Sequence, residues 1–143
     1  MTHANANTRE AARRIKKHLA VLNGGRIPRS VARWRTLTDK LGLYATPLPC
    51  SPGTYTARLV YDDRLTTDDP SSGWLIAYNP SGSARQVCRW IAHELAEYLA
   101  ICEYPSIFDG MPQRVYYYNG GRDPEDARHR IALCVEKLCF RRR

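Results

Sequence analysis

Arg85-Gln86-Val87-Cys88-Arg89-Trp90-Ile91-Ala92-His93-Glu94-Leu95-Ala96-Glu97-Tyr98-Leu99 is the stretch on which the reading of the whole chain turns. Its apolar residues Val87, Trp90, Ile91, Leu95, Tyr98 and Leu99 recur at intervals of three and four, the spacing of a helix face. Ser83 stands in front of it as an N-cap. The spacing predicts a helix from Ala84 to about Cys102, the most buried-looking element of the chain.

Upstream of this helix, Trp74-Leu75-Ile76-Ala77-Tyr78 reads as a strand that stops at Asn79-Pro80, and Tyr55 to Tyr61 is a second run of β-formers. Further back, Asn7 to Leu22 carries Ala11, Ile15, Leu19 and Leu22 at helical spacing and is stopped by Asn23-Gly24-Gly25. Pro28 then opens a second helix through Val31, Trp34, Leu37 and Leu41, closed by Gly42. The residues after Leu43, with Pro47, Pro49, Pro52 and Gly53, read as a loop. Downstream, Val115 to Tyr118 suits a short strand, and Asp123-Pro124-Glu125-Asp126 starts a last helix that runs to about Phe140. An α+β fold follows: N-terminal helices, a small antiparallel sheet, the central helix and a C-terminal helix.

The chain is 143 residues long, which suits one domain over 1–143 with a single core. It holds 22 Lys plus Arg against 14 Asp plus Glu, a net +8. Residues 1–42 carry ten basic and two acidic side chains, whereas 43–143 carry twelve of each. The excess therefore belongs to a basic helical arm, 1–42, placed on a neutral body, 43–143. No apolar run approaches the ~20 residues of a membrane span, and the first residues lack the apolar core of a secretion signal, so a cytoplasmic location is expected. Five cysteines without a C-x-x-C pair point to reduced thiols packed as small apolar groups.

Within the central helix, His93 and Glu97 are four apart and share a face, so both reach one metal ion. Glu94, one step round, meets a water at that ion instead. Charges set between Ile91-Ala92 and Leu95-Ala96 are costly unless they are paired or bound. The last helix offers a second pair at the same spacing, Glu125 and His129. Two such pairs on two helices are a more specific signal than either alone. Three ligands keep a coordination position open. His93 and Glu97 are expected with either Glu125 or His129, the remaining residue supporting the site from behind.

These residues resemble the ImmA/IrrE family of zinc-dependent metallopeptidases. Leu75-Ile76-Ala77-Tyr78-Asn79 is similar to that family's strand ending in I-x-x-N, and residues 89–99 to its R-F-T-x-A-H-E-x-x-H-x-L. Glu125-Asp126-Ala127-Arg128-His129-Arg130-Ile131-Ala132 resembles its E-x-x-A-N-x-F-A. The resemblance implies a zincin-like minimal metalloprotease fold and a Zn²⁺ cofactor. It further implies His93 as first ligand, Glu94 as general base and Glu125 as third ligand, acting on a helix-turn-helix transcriptional repressor. Two positions depart from the pattern: Glu97 replaces the second histidine, and His129 replaces an asparagine. A carboxylate ligand donates more charge than histidine, which makes the metal a weaker Lewis acid and predicts slow turnover.

Two other readings stand beside the peptidase. One is a catalytically inactive, metal-binding relative that acts as a protein-interaction module, which Glu97 favours. The other is a DNA-binding helix pair over Asn7 to Gly42. Direct DNA binding is not favoured, because the basic side chains are spread around both helices. The arm reads better as a docking surface for an acidic partner, or for a repressor on its DNA.

Overall fold

The computed structural model describes residues 6–48, 56–61, 73–101 and 124–140. In chain order these form α1 (Ala6–Leu22), α2 (Val31–Lys40), β1 (Tyr44–Pro47), β2 (Ala57–Tyr61), β3 (Trp74–Tyr78), α3 (Ala84–Ile101) and α4 (Pro124–Cys139). The α+β layout is the expected one. The strand read at 115–118 lies outside the described residues.

The helix ends are built from local hydrogen bonds that the sequence announces. Gly24 and Gly25 adopt φ of 76° and 104°, and their N–H groups donate to the carbonyls of Val21 and Ala20. Gly42, at φ 85°, closes α2 in the same way, with Gly42 and Leu43 donating to Asp39 and Thr38. Both are Schellman ends, in which a left-handed residue lets the last carbonyls find donors. The start of α2 differs from expectation: Ser30, not Pro28, is the cap, and its Oγ accepts from the Arg33 N–H at 3.2 Å. A side-chain acceptor satisfies a free helical N–H, which proline at that point does not.

The sheet corrects the sequence reading in two ways. Residues 44–47, read as loop, form strand β1, and the sheet is mixed rather than antiparallel. Its order is β1-β3-β2, with β1 parallel to β3 and β2 antiparallel to it. β1 is a four-residue edge strand with one buried side chain, Ala45, so it shows no alternation to read. Pro47 is tolerated at its end because an edge strand need not donate on its outer side. β3 is central, and Ile76, Ala77 and Tyr78 are buried.

α3 runs through the middle of the molecule. Val87, Cys88, Ile91, Ala92, Leu95, Ala96, Tyr98 and Leu99 are all buried, joined by Ile15 and Leu19 of α1, Trp34 and Leu37 of α2, Ile76 of β3, and Ile131 and Val135 of α4. Each fully buried Leu or Ile contributes about 1.5–3 kcal/mol. α4 packs on both α3 and α1. Cys88 belongs to the core, and Cys134 and Cys139 pack against it as free thiols. Among the described residues no helix is long and apolar enough to cross a membrane.

Between β3 and α3 the chain is fixed by a short polar relay. Buried Asn79 accepts at Oδ1 from the Ser81 N–H at 3.0 Å and from the Ser81 hydroxyl at 2.8 Å. Ser83 and Gln86 then form a capping box: the Ser83 Oγ accepts from the Gln86 N–H, and the Gln86 Oε1 accepts from the Ser83 N–H. This sets where α3 begins, and so which of its residues face α4.

Candidate metal centre

Every fourth residue of α3 meets α4. Arg85 donates to the Phe140 carbonyl at 3.0 Å, Arg89 pairs with Glu136 at 3.3 Å, His93 lies on Glu136, and Glu97 lies towards His129. The seam is polar because i, i+4 spacing keeps one stripe of α3 against the neighbouring helix. Apolar Ile91, Leu95 and Leu99 turn the other way into the core.

Three metal-capable side chains converge in this seam: His93 and Glu97 of α3 and His129 of α4. One ligand atom from each lies within 4.8 Å of the others. Nε2 of His93 donates to Oε2 of Glu97 at 2.7 Å, and the same oxygen is 3.8 Å from Nδ1 of His129. The two imidazole rings are 4.9 Å apart, centroid to centroid, and inclined at 62°. Tetrahedral bonds of about 2.0–2.2 Å set ligand atoms roughly 3.3 Å apart, so side-chain adjustment alone would bring the group to coordinating distance. His93 and Glu97 side chains are each 14% exposed whereas His129 is 54% exposed. The cluster is therefore anchored inside and open to water on the α4 side.

His93 is held from both sides. Its Nδ1 donates to Oε2 of Glu136 at 2.6 Å, opposite the contact with Glu97. Burial disfavours the charged ring, but hydrogen bonds from the ring to Glu136 and then Glu97 outweigh it and hold the pKa up to about 9. With Nδ1–H committed to Glu136, Nε2 is the nitrogen turned to the cluster, and it would coordinate an ion only on losing its proton. A carboxylate behind a histidine fixes the ring and its tautomer, the usual support of a metal-ligating imidazole.

Of the residues read from the sequence, His93, Glu97 and His129 come together, and Glu94 is half-buried beside them on α3. Glu125 falls in the first turn of α4, and its side chain lies outside the described residues. Glu136 was missed. The signal for it is its position seven residues after His129, two helical turns along the same face of α4. The group His93, Glu97 and His129 fits a metal ion by its mixed nitrogen and oxygen donors, its spacing and the carboxylate behind His93.

Comparison with protein-family models, curated proteins and solved structures returns no match.

Proposed function

We propose that this chain is a zinc-dependent endopeptidase of the ImmA/IrrE type that cuts a helix-turn-helix transcriptional repressor. The observation that carries the reading is the convergence of His93, Glu97 and His129 within one coordination radius, with Glu94 next to the first ligand on α3. His93 and His129 supply borderline nitrogens and Glu97 a hard oxygen, a set suited to Zn²⁺. Zinc bound there would supply a Lewis acid that polarises a substrate carbonyl and brings the pKa of water down to about 7.

The protein's own part is proton transfer and orientation. Glu94 accepts the proton of the attacking water and passes it to the amine that leaves as the C–N bond breaks. Glu136 holds the His93 ring, and Arg89 holds Glu136. The exposed edge at His129 is where an extended substrate approaches.

A non-catalytic, metal-binding interaction module is the second reading, and the carboxylate at Glu97 in a ligand position favours it. One experiment separates the two. The purified protein is analysed for zinc, then incubated with helix-turn-helix repressors encoded beside its gene, with Glu94→Gln as the control. The peptidase reading expects about one zinc per chain and a repressor cut by the wild type but left whole by the variant. Stoichiometric zinc with every such repressor bound yet intact overturns it in favour of the interaction module.

A further inference from the structure

The basic arm is not an evenly charged surface. A cavity of about 1220 Å³ opens between the α1–α2 turn, the start of α3 and the end of α4. Lys16, Arg26, Arg29, Arg33 and Arg85 all line it, and among the described residues no acidic one does. Among the described residues the side chains of Lys16, Arg26, Arg29 and Arg33 make no ion pair, although Arg13 and Arg14 of the same arm both pair with Glu10. Four unpaired cations around one concavity repel each other and focus a positive potential into it. Ile27, Leu138 and Phe140 give the same cavity apolar wall.

We propose that this cavity is the docking site for an acidic, partly apolar segment of a protein, held by salt bridges to Arg26, Arg29 and Arg33 and bounded by Arg85. Its form selects that occupant. The concavity is open to solvent and lined by both cations and apolar groups, which suits a length of chain carrying acidic and apolar side chains. Duplex DNA is read by an element that protrudes into a groove, whereas these exposed cations line a concavity. Single-stranded nucleic acid needs a series of aromatic platforms, and among the described residues Phe140 is the one aromatic ring in this lining. Arginine, four of the five cations here, forms bidentate pairs with carboxylates.

The cavity and the metal centre lie on one seam. Arg85, Arg89, His93 and Glu97 are a single stripe of α3 along α4, and Arg85 is bonded to Phe140 where the seam meets the cavity. Eight residues of helical rise separate Arg85 from His93, about 12 Å. An extended chain covers that distance in roughly three to four residues. The segment is therefore part of the substrate, with its acidic residues that far from the bond to be cut; this last step rests on the peptidase reading.

The test uses the full chain and fluorescence anisotropy with four labelled probes: a peptide of alternating Glu and Leu, its Gln-for-Glu counterpart, a duplex DNA and a single-stranded DNA. The acidic peptide is expected to bind, to weaken about tenfold or more between about 50 and 200 mM salt, and to be lost in the triple variant Arg26→Glu, Arg29→Glu, Arg33→Glu. The Gln peptide is expected not to bind. Circular dichroism checks the fold of the variant, and Arg85→Gln replaces it if the triple variant unfolds. Equal binding of both peptides, or unchanged binding in the variant, overturns the proposal. Tighter binding of either DNA, lost in the same variant, overturns it in favour of a nucleic-acid site. Zinc titration of the same samples keeps the two readings apart: peptide binding without zinc uptake sinks the peptidase, and zinc uptake without peptide binding sinks the docking site.

Discussion

Glu136 shows what one residue contributes when it touches the proposed ion only through another. Its carboxylate takes a hydrogen bond from His93 at 2.6 Å and is itself paired with Arg89 at 3.3 Å. Glutamine at that position still accepts from Nδ1–H but loses the charge that makes the imidazole a strong donor. Such supporting carboxylates change metal affinity by roughly 10–100-fold. Glu136→Gln is therefore expected to lower zinc affinity within that range, measured by competition with a chromophoric chelator, while far-ultraviolet circular dichroism stays that of the wild type. Arg89→Ala is expected to cost less, because Arg89 is half exposed and exposed ion pairs hold their partners weakly. An unchanged affinity in Glu136→Gln would reduce the residue to a packing role.

At the scale of the element, α3 depends on how it starts. The Ser83–Gln86 box satisfies two N–H groups that would otherwise be free at the helix end. Ser83→Ala is expected to cost about 1 kcal/mol in urea unfolding, and an m-value unchanged from wild type would confirm that the loss is local. A loss close to zero would mean that Asn79 and Ser81 alone set the start of α3. The same logic explains what could be read beforehand. The bounds of β3 and both long C-terminal helices follow from strong apolar periods and from Asn79-Pro80, Ser83 and Pro124 at their ends. β1 left no such trace, because one buried Ala45 gives no alternation and its parallel partner β3 is some thirty residues away. His93, Glu97 and His129 were legible as i, i+4 pairs on two helices. Glu136 was less so: its spacing from His129 puts it on the same face of α4, but spacing alone does not tell a solvent-facing glutamate from one that a neighbouring helix turns inward.

At the scale of the whole molecule the candidate metal centre would act as a clasp. His93 and Glu97 belong to α3 and His129 to α4, and α4 in turn packs on α1, so an ion held by all three residues ties together most of the core. Binding to the folded state alone stabilises it by mass action, about 2.7 kcal/mol when free ligand is 100 times its Kd. For a chain of this size each kcal/mol is worth roughly 2–4 °C in Tm. Saturating zinc is expected to raise the melting temperature by roughly 5–10 °C over the chelator-treated protein. His129→Ala takes away the α4 ligand of this group and is expected to abolish most of that rise. It should leave the chelator-treated melting temperature little changed, because the side chain is 54% exposed. The position of Glu125 four residues earlier on α4 makes this variant decisive: if zinc still raises its melting temperature in full, the third ligand is Glu125 and His129 only borders the site.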